Sequence, residues 1–179
     1  MLKNHPPYFG AKVAVAMLDW WNNSFLLKVR AEIGSKAFTV VVLDPMADLS
    51  WRTPYGTGQA NILIQMSDGK SSEIAGAEGL TANVEHKLRW VLRTGFDSVE
   101  STKRKNRHLI VPGDFAFAGA GTYRGLKGGC SGFDQFDDVK VFEWFVDELA
   151  LIRSDVAEEA VPRLRKLPGF KYLEPNWDS

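Results

Sequence analysis

The strongest constraint on the fold is an apolar pattern near the C-terminus, in the stretch DDVKVFEWFVDELALIR from Asp137 to Arg153. Its large apolar side chains recur every three or four residues, at Val139, Phe142, Phe145, Val146, Leu149 and Ile152. A helix with one such face has to bury it against another layer of structure. The pattern therefore predicts a long amphipathic helix, followed by a second helix that begins near Ser154.

Two further segments show helical spacing, and three show the character of strands. Helices are predicted for 11–34, with an interruption near Asn22–Asn23, and from an N-cap at Thr81 to Gly95. The β-branched segment 36–44 predicts a mostly buried strand, 59–70 predicts a strand followed by an Asp-Gly turn, and 109–111 predicts a short edge strand. Helices at both ends around short, turn-linked strands indicate an α/β (α+β) layer fold.

Length and charge narrow the class of protein. A chain of 179 residues is expected to form a single domain, 1–179, with an extended C-terminal tail at 167–179. Lys and Arg together number 22, as do Asp and Glu, so no net field favours nucleic acid, and the basic run 103–108 reads as a solvated loop. No apolar run is long enough to span a membrane. The one cysteine fits a reducing compartment, so a cytoplasmic location is expected.

Small residues and carboxylates are concentrated in GGCSGFDQFDD, from Gly128 to Asp138. Asp134, Asp137 and Asp138 would supply negative charge to the start of the predicted helix and would repel a phosphate there. The stretch therefore predicts a self-capped helix start rather than a nucleotide cradle. The same carboxylates would raise the pKa of Cys130, which is expected to be an inert, partly buried thiol.

A second glycine-rich stretch, GAGTYRG at 119–125, has a spacing one residue longer than a dinucleotide fingerprint. It predicts tight backbone that either a neighbouring strand or a flat ligand approaches closely. The three histidines, His5, His86 and His108, are scattered, so no metal site is predicted. Trp51 and Trp177 are expected to be exposed, as on a surface for self-association or for a planar ligand.

Three segments, 86–98, 114–121 and 131–138, together resemble the heme-degrading-domain family of GlcG/HbpS-like proteins. The matching positions are Lys87, Arg93, Gly95, Ser98, Phe115, Ala116, Gly119, Gly121, Ser131, Gly132, Phe133, Gln135 and Asp138. The resemblance implies a profilin-like fold, with a central antiparallel sheet flanked by helices, and assembly into a homo-oligomer, a dimer or larger. Ala118 and Val139 stand where relatives carry histidine, so no histidine here is assigned as a heme ligand.

The first functional hypothesis is a non-catalytic oligomeric protein that binds heme or another small ligand. Its groove would be lined by the glycine turn and by the loop into the last helix, and the candidate ligand-binding residues are Arg93, Gly119, Gly121, Tyr123, Ser131 and Gly132. In this hypothesis Arg93 pairs with a ligand carboxylate. The alternatives are an enzyme acting on heme or a small organic acid through Asp137, Asp138 or Tyr123, and an interaction or structural subunit.

Overall fold

The computed structural model describes residues 7–43, 62–68, 77–114 and 116–164. The helices are α1 (Pro7–Trp20), α2 (Leu26–Glu32), α3 (Ala77–Thr94) and α4 (Gln135–Leu164). The strands are β1 (Thr39–Leu43), β2 (Ile62–Ser67), β3 (Ala120–Tyr123) and β4 (Leu126–Ser131). A π-helical turn, Trp21–Phe25, joins α1 to α2, and two 3-10 helices, Ser98–Thr102 and Arg104–Leu109, follow α3.

The four described strands form one sheet in the order β2-β1-β4-β3, and every neighbouring pair is antiparallel. Along β1, Val40 and Val42 point to one face of the sheet and Val41 to the other, because side chains alternate across a strand. All three valines are buried. The β-branched run in β1 is therefore explained by a sheet that is covered on both faces.

Helices supply both covers. The elements α1, α2 and α4 bury their apolar faces with Val40 and Val42, around a cluster of rings that includes Trp21, Phe25 and Phe145. On the opposite face α3 packs against Val41. This arrangement confirms the predicted α+β fold with a central antiparallel sheet flanked by helices.

The interruption predicted near Asn22–Asn23 is a change of helix type and not a break. Across Trp21–Phe25 the helix widens into a π-turn, in which the Leu26 N–H donates to the Trp21 carbonyl five residues earlier. The chain continues as a helix on both sides of it. The predicted helix over 11–34 is thus confirmed.

The glycine-rich stretch 119–125 contains a strand and a hairpin turn. Arg124 and Gly125 both have positive φ, +47° and +76°, between β3 and β4. A two-residue turn of this handedness matches the natural twist of a hairpin. The prediction that a neighbouring strand approaches this stretch is therefore confirmed.

Three predicted boundaries are wrong. The helix α3 begins at Ala77, so Thr81 lies inside it, where its hydroxyl accepts a hydrogen bond from Gln65 Nε2 at 3.2 Å. Residues 109–111 form no strand, because Leu109 ends a 3-10 helix and a turn follows. The last helix continues to Leu164 without a second start at Ser154, whose hydroxyl donates to the Ala150 carbonyl within the helix at 3.0 Å.

The predicted end of α3 is confirmed. Gly95 has a φ of +76°, and its N–H donates to the Val91 carbonyl at 2.9 Å, which closes the helix. Within the described ranges, no helix has the length and apolar character to cross a membrane. Trp51, Trp177 and the predicted tail 167–179 lie outside the described residues.

Two glycine substitutions test this packing, because they should change the free energy of unfolding in opposite directions. A Cβ atom at Gly128, in the middle of β4, would lie 2.5 Å from Phe142 Cε2 and closer still to the Val41 carbonyl oxygen. We expect Gly128→Ala to lower the free energy of unfolding by about 1–3 kcal/mol, as overpacking does. Gly79→Ala, at an open helical position, is the matched control and should raise it by about 0.5–1 kcal/mol. Chemical denaturation measures both, and an unchanged Gly128→Ala would contradict the packing.

Candidate functional site

The start of α4 is capped by one of its three carboxylates. Asp134 Oδ1 accepts hydrogen bonds from the backbone N–H groups of Phe136 and Asp137, both at 3.1 Å. The hydrogen bond from Asp137 N–H is the main cause that holds the pKa of Asp134 below its ordinary value, and the bond from Phe136 N–H adds to it. Both bonds stabilise the charged form of the carboxylate. The predicted self-capped helix start is therefore confirmed.

Asp138, in contrast, forms a buried ion pair with Lys87 of α3. Lys87 Nζ lies 2.7 Å from Asp138 Oδ2 and also donates to the Cys130 carbonyl at 2.9 Å. The side chains of Lys87 and Asp138 are only 1% and 3% exposed. Asp138 Oδ1 accepts from the Phe133 N–H at 3.0 Å, so both carboxylate oxygens are occupied. The arrangement joins the helices on the two faces of the sheet.

Burial raises the pKa of Asp138, and the Lys87 ammonium opposes that rise. A raised carboxyl pKa is typical of an acid catalyst, but such a group has to reach a substrate. Asp138 is only 2% exposed and is held by Lys87 and by Phe133 N–H. Its position indicates a structural role.

Gly119 makes room for this ion pair. Its φ is +117°, and an added Cβ atom would lie 2.7 Å from both Lys87 Nζ and Asp138 Cβ. The Gly119 carbonyl also accepts from Cys130 N–H at 2.7 Å. What approaches the glycine is therefore the protein's own ion pair together with the neighbouring strand. A side chain here would displace the pair and strain the backbone.

Cys130 lies beside the pair and is fully buried. Burial is the main cause that raises its pKa well above the ordinary value, and the Asp138 carboxylate adds to it. A thiol in this state has little thiolate to react. The burial is more complete than the sequence predicts, and the raised pKa supports the prediction of an inert thiol.

The outer edge of β3 is covered by side chains from the segment after α3. Ser98 Oγ accepts from Ala120 N–H, and Asp97 Oδ1 accepts from Thr122 N–H, both at 2.9 Å. An added Cβ at Gly121 would lie 2.5 Å from Asp97 Oδ1, so this glycine lets the carboxylate approach. The side chains take the place of a further strand and protect the edge from pairing with another chain.

A cleft of about 70 Å³ lies between β3 and α4, and we call it the strand cleft. It is lined by Asp97, Val99, Gly119, Ala120, Gly121, Thr122, Tyr123, Val139, Phe142 and Glu143. Three predicted ligand-binding residues, Gly119, Gly121 and Tyr123, thus come together here. Sequence reasoning missed Asp97 and Glu143, because neither belongs to a recognisable motif and only the fold brings them to one place.

The other predicted residues lie elsewhere. Arg93 ends α3 and forms an ion pair with Asp114, so its guanidinium already has a carboxylate partner. Ser131 is buried at the end of β4, opposite Thr39. Gly132 faces the residues before β1, since an added Cβ atom would lie 2.5 Å from Phe38 Cβ. The loop into α4 therefore does not line the strand cleft.

The described residues include no group of three or more His, Cys, Asp or Glu side chains placed to hold a metal ion. Comparison of the chain with protein-family models, with curated proteins and with solved structures finds no match.

The buried ion pair has a clear energetic test. Asp138→Asn keeps the acceptor for Phe133 N–H but leaves the Lys87 ammonium buried without its counter-charge, so we expect unfolding to become easier by about 3–5 kcal/mol. Adding Lys87→Met to this variant should recover part of the loss, because the lone buried charge is removed. Asp147→Asn, in a half-exposed ion pair with Arg124, is the control and should change little. Denaturation curves in which both Asn variants behave alike would refute the role of the pair.

Cys130 offers a second test by its reactivity. We expect a thiol reagent such as dithionitrobenzoate to modify the native protein only as fast as the chain opens, since the thiol is fully buried. Reaction should become immediate in denaturant and should speed up in the Asp138→Asn variant. The measurement is the absorbance of the released thiolate, and rapid stoichiometric labelling of the native protein is the result that would rule out an inert thiol.

Proposed function

We propose that this chain is a non-catalytic protein that binds a small molecule in the strand cleft. The single observation behind the proposal is that Gly119, Gly121 and Tyr123, predicted from the sequence as ligand contacts, line the same concave surface. The cleft also offers an aromatic ring in Phe142. Ligand sites commonly combine such apolar walls with a few convergent polar groups.

Charge favours a particular kind of ligand. The strand cleft is lined by two carboxylates, Asp97 and Glu143, and its lining residues include no Lys, Arg or His. Asp97 is exposed and uses Oδ1 to hold Thr122 N–H. The second oxygen of this carboxylate can accept a hydrogen bond from a ligand. The chemistry supports a ligand with hydrogen-bond donors or a positive charge, and it disfavours anions.

We propose a non-catalytic role because of where the acid–base candidates lie. Asp138 is buried in its ion pair with Lys87, at the back of Gly119. Of the three candidates, Tyr123 is the one that lines the strand cleft. No hydrogen bond between the Tyr123 hydroxyl and either carboxylate of the cleft is found among the described residues, so support for proton transfer is weak.

Heme enters the proposal only through the sequence resemblance. A cleft of about 70 Å³ is far smaller than the roughly 300–1,000 Å³ of sites that enclose a ligand of drug size. A tetrapyrrole would have to lie across the mouth of the cleft, where its propionates would meet Asp97 and Glu143. Such a pose sets like charges together, so heme is the less favoured ligand.

Two probes of matched shape and opposite charge test the proposal. Benzamidine and benzoate are titrated into isotope-labelled protein, and backbone amide shifts are followed by NMR. We expect benzamidine to shift Gly119, Gly121 and Thr122, and benzoate to leave them in place. Glu143→Gln should weaken the benzamidine response about three- to tenfold, because the amide keeps a hydrogen-bond acceptor but loses the negative charge. Glu148→Gln, one helical turn further along α4, is the control.

The proposal fails if neither probe moves these amides, or if benzoate moves them as strongly as benzamidine. Hemin is titrated separately, with its Soret absorbance as the readout. An unchanged Soret band in the presence of excess protein removes tetrapyrroles from consideration. A shifted band that also depends on Glu143 would place the porphyrin at the strand cleft.

Self-association is the second part of the proposal. Among the described residues, five large apolar side chains on the helices remain more than half exposed, namely Val15, Leu18, Leu27, Phe136 and Leu151. Burying such side chains between subunits would favour the predicted homo-oligomer. Light scattering during size-exclusion chromatography measures the mass, and a strict monomer at high concentration would contradict it.

A further inference from the structure

A second cleft lies on the other side of α4, where the π-turn faces this helix. The cavity measures about 260 Å³, and we call it the helix cleft. It is lined by Trp20, Ser24, Phe25, Lys28, Trp144, Asp147 and Glu148. None of these residues borders the strand cleft. Its volume approaches the roughly 300 Å³ at which ligand pockets of ordinary size begin.

The π-turn shapes one wall of this cleft. Because the turn takes in one extra residue, Trp20 and Phe25, five apart, lie on the same side of the chain with ring centroids separated by 4.5 Å. In a regular α-helix, residues five apart point in clearly different directions. Turns of this kind recur at functional sites in proteins. Here the turn brings a tryptophan and a phenylalanine together beside the cavity.

Trp144 forms the aromatic part of the facing wall, and the protein already uses it to hold cations. Lys28 Nζ lies 4.1 Å from the centroid of the indole, and Lys140 Nζ lies 4.6 Å from it. Both distances are within the range of about 6 Å in which an ammonium ion is attracted to an aromatic face. Lys28 reaches the ring from across the cleft, since it belongs to α2.

Two carboxylates complete the site, one turn further along α4 from Trp144. Asp147 is engaged at the rim by Arg124. Glu148 makes no ion pair with any of the residues that the structure describes. Aromatic rings together with an available carboxylate are the combination that recognises ammonium groups. An anionic ligand would meet Lys28 but would be repelled by both carboxylates.

We propose that the helix cleft binds an organic ammonium ion, and that Lys28 occupies the cation position on Trp144 until such a ligand displaces it. The ligand ammonium then lies against the Trp144 ring, with Trp20 beside it and Glu148 as its counter-charge. The released Lys28 side chain moves into solvent, where an ammonium is well hydrated. This site is independent of the proposed ligand site at β3.

Choline and 3,3-dimethylbutan-1-ol are the probes, because they share one shape and differ in charge. Each is titrated into the full chain, and the Trp144 indole N–H and the ligand methyl protons are followed by NMR. We expect choline to bind and the neutral alcohol to bind at least tenfold more weakly. Loss of the ring in Trp144→Leu should remove choline binding, and Glu148→Gln should weaken it about three- to tenfold.

Lys28→Met gives the sharpest result, because most losses of a side chain weaken binding and this one should strengthen it. Removing the internal occupant is expected to raise the affinity for choline about three- to tenfold, which corresponds to the usual strength of one cation–π contact. Lys36→Met, before β1, removes the same charge elsewhere and should change the affinity little. Glu100→Gln, in the 3-10 helix after α3 and in neither cleft, is the matched control for Glu148→Gln.

The proposal is overturned if the alcohol binds as well as choline, if Lys28→Met weakens binding, or if Lys36→Met strengthens it equally. No choline response in either the native chain or the Lys28→Met variant also overturns it. Thermal melting of each variant shows whether it is folded. The increase in choline affinity expected for Lys28→Met can be measured even if Trp144→Leu does not fold. A benzamidine response at Gly121 without a choline response at Trp144 would leave the strand-cleft proposal standing and refute this one.

Discussion

The ion pair between Lys87 and Asp138 is the interaction on which the rest of the structure depends. It joins helices that cover opposite faces of the sheet, and it does so at the end of β4, where Lys87 also holds the Cys130 carbonyl. Removing two charges from water is costly, and the cost is offset only when every partner is in place. Here Phe133 N–H occupies the second carboxylate oxygen. The pair therefore requires one relative position of α3, β4 and α4.

Glycine makes this arrangement possible just before β3 and within it. Gly119 leaves room for the ion pair, and Gly121 leaves room for Asp97, which covers the edge of the sheet. The same two glycines line the strand cleft, so the surface proposed to bind a ligand is shaped by the needs of packing. Helix α4 then serves both proposed sites. Val139, Phe142 and Glu143 line the strand cleft, whereas Trp144, Asp147 and Glu148 line the helix cleft.

Much of the fold could be predicted because its signals are local. The apolar spacing in α4, the valines of β1 and the Gly95 stop of α3 each depend on residues that are close in sequence. The errors arose where local signals were weak or misleading. Thr81 resembles an N-cap, but the helix had already begun four residues earlier, and Ser154 could satisfy its hydroxyl within a helix that continues. Residues 109–111 have the apolar character of a short edge strand, but Leu109 ends a 3-10 helix.

Strands β3 and β4 were not predicted, but the sequence by itself determined the four helices, strands β1 and β2, the burial of β1, and the capping of α4 by its own carboxylates. These properties follow from side-chain periodicity and from hydrogen bonds between near neighbours. Only the tertiary structure decided the partner of Asp138, the approach of Asp97 to Gly121, and the meeting of Lys28 with Trp144. Each of these contacts joins residues more than twenty positions apart, and no local pattern specifies a contact between such distant residues. For the same reason, the predicted ligand residues were divided among separate places in the fold.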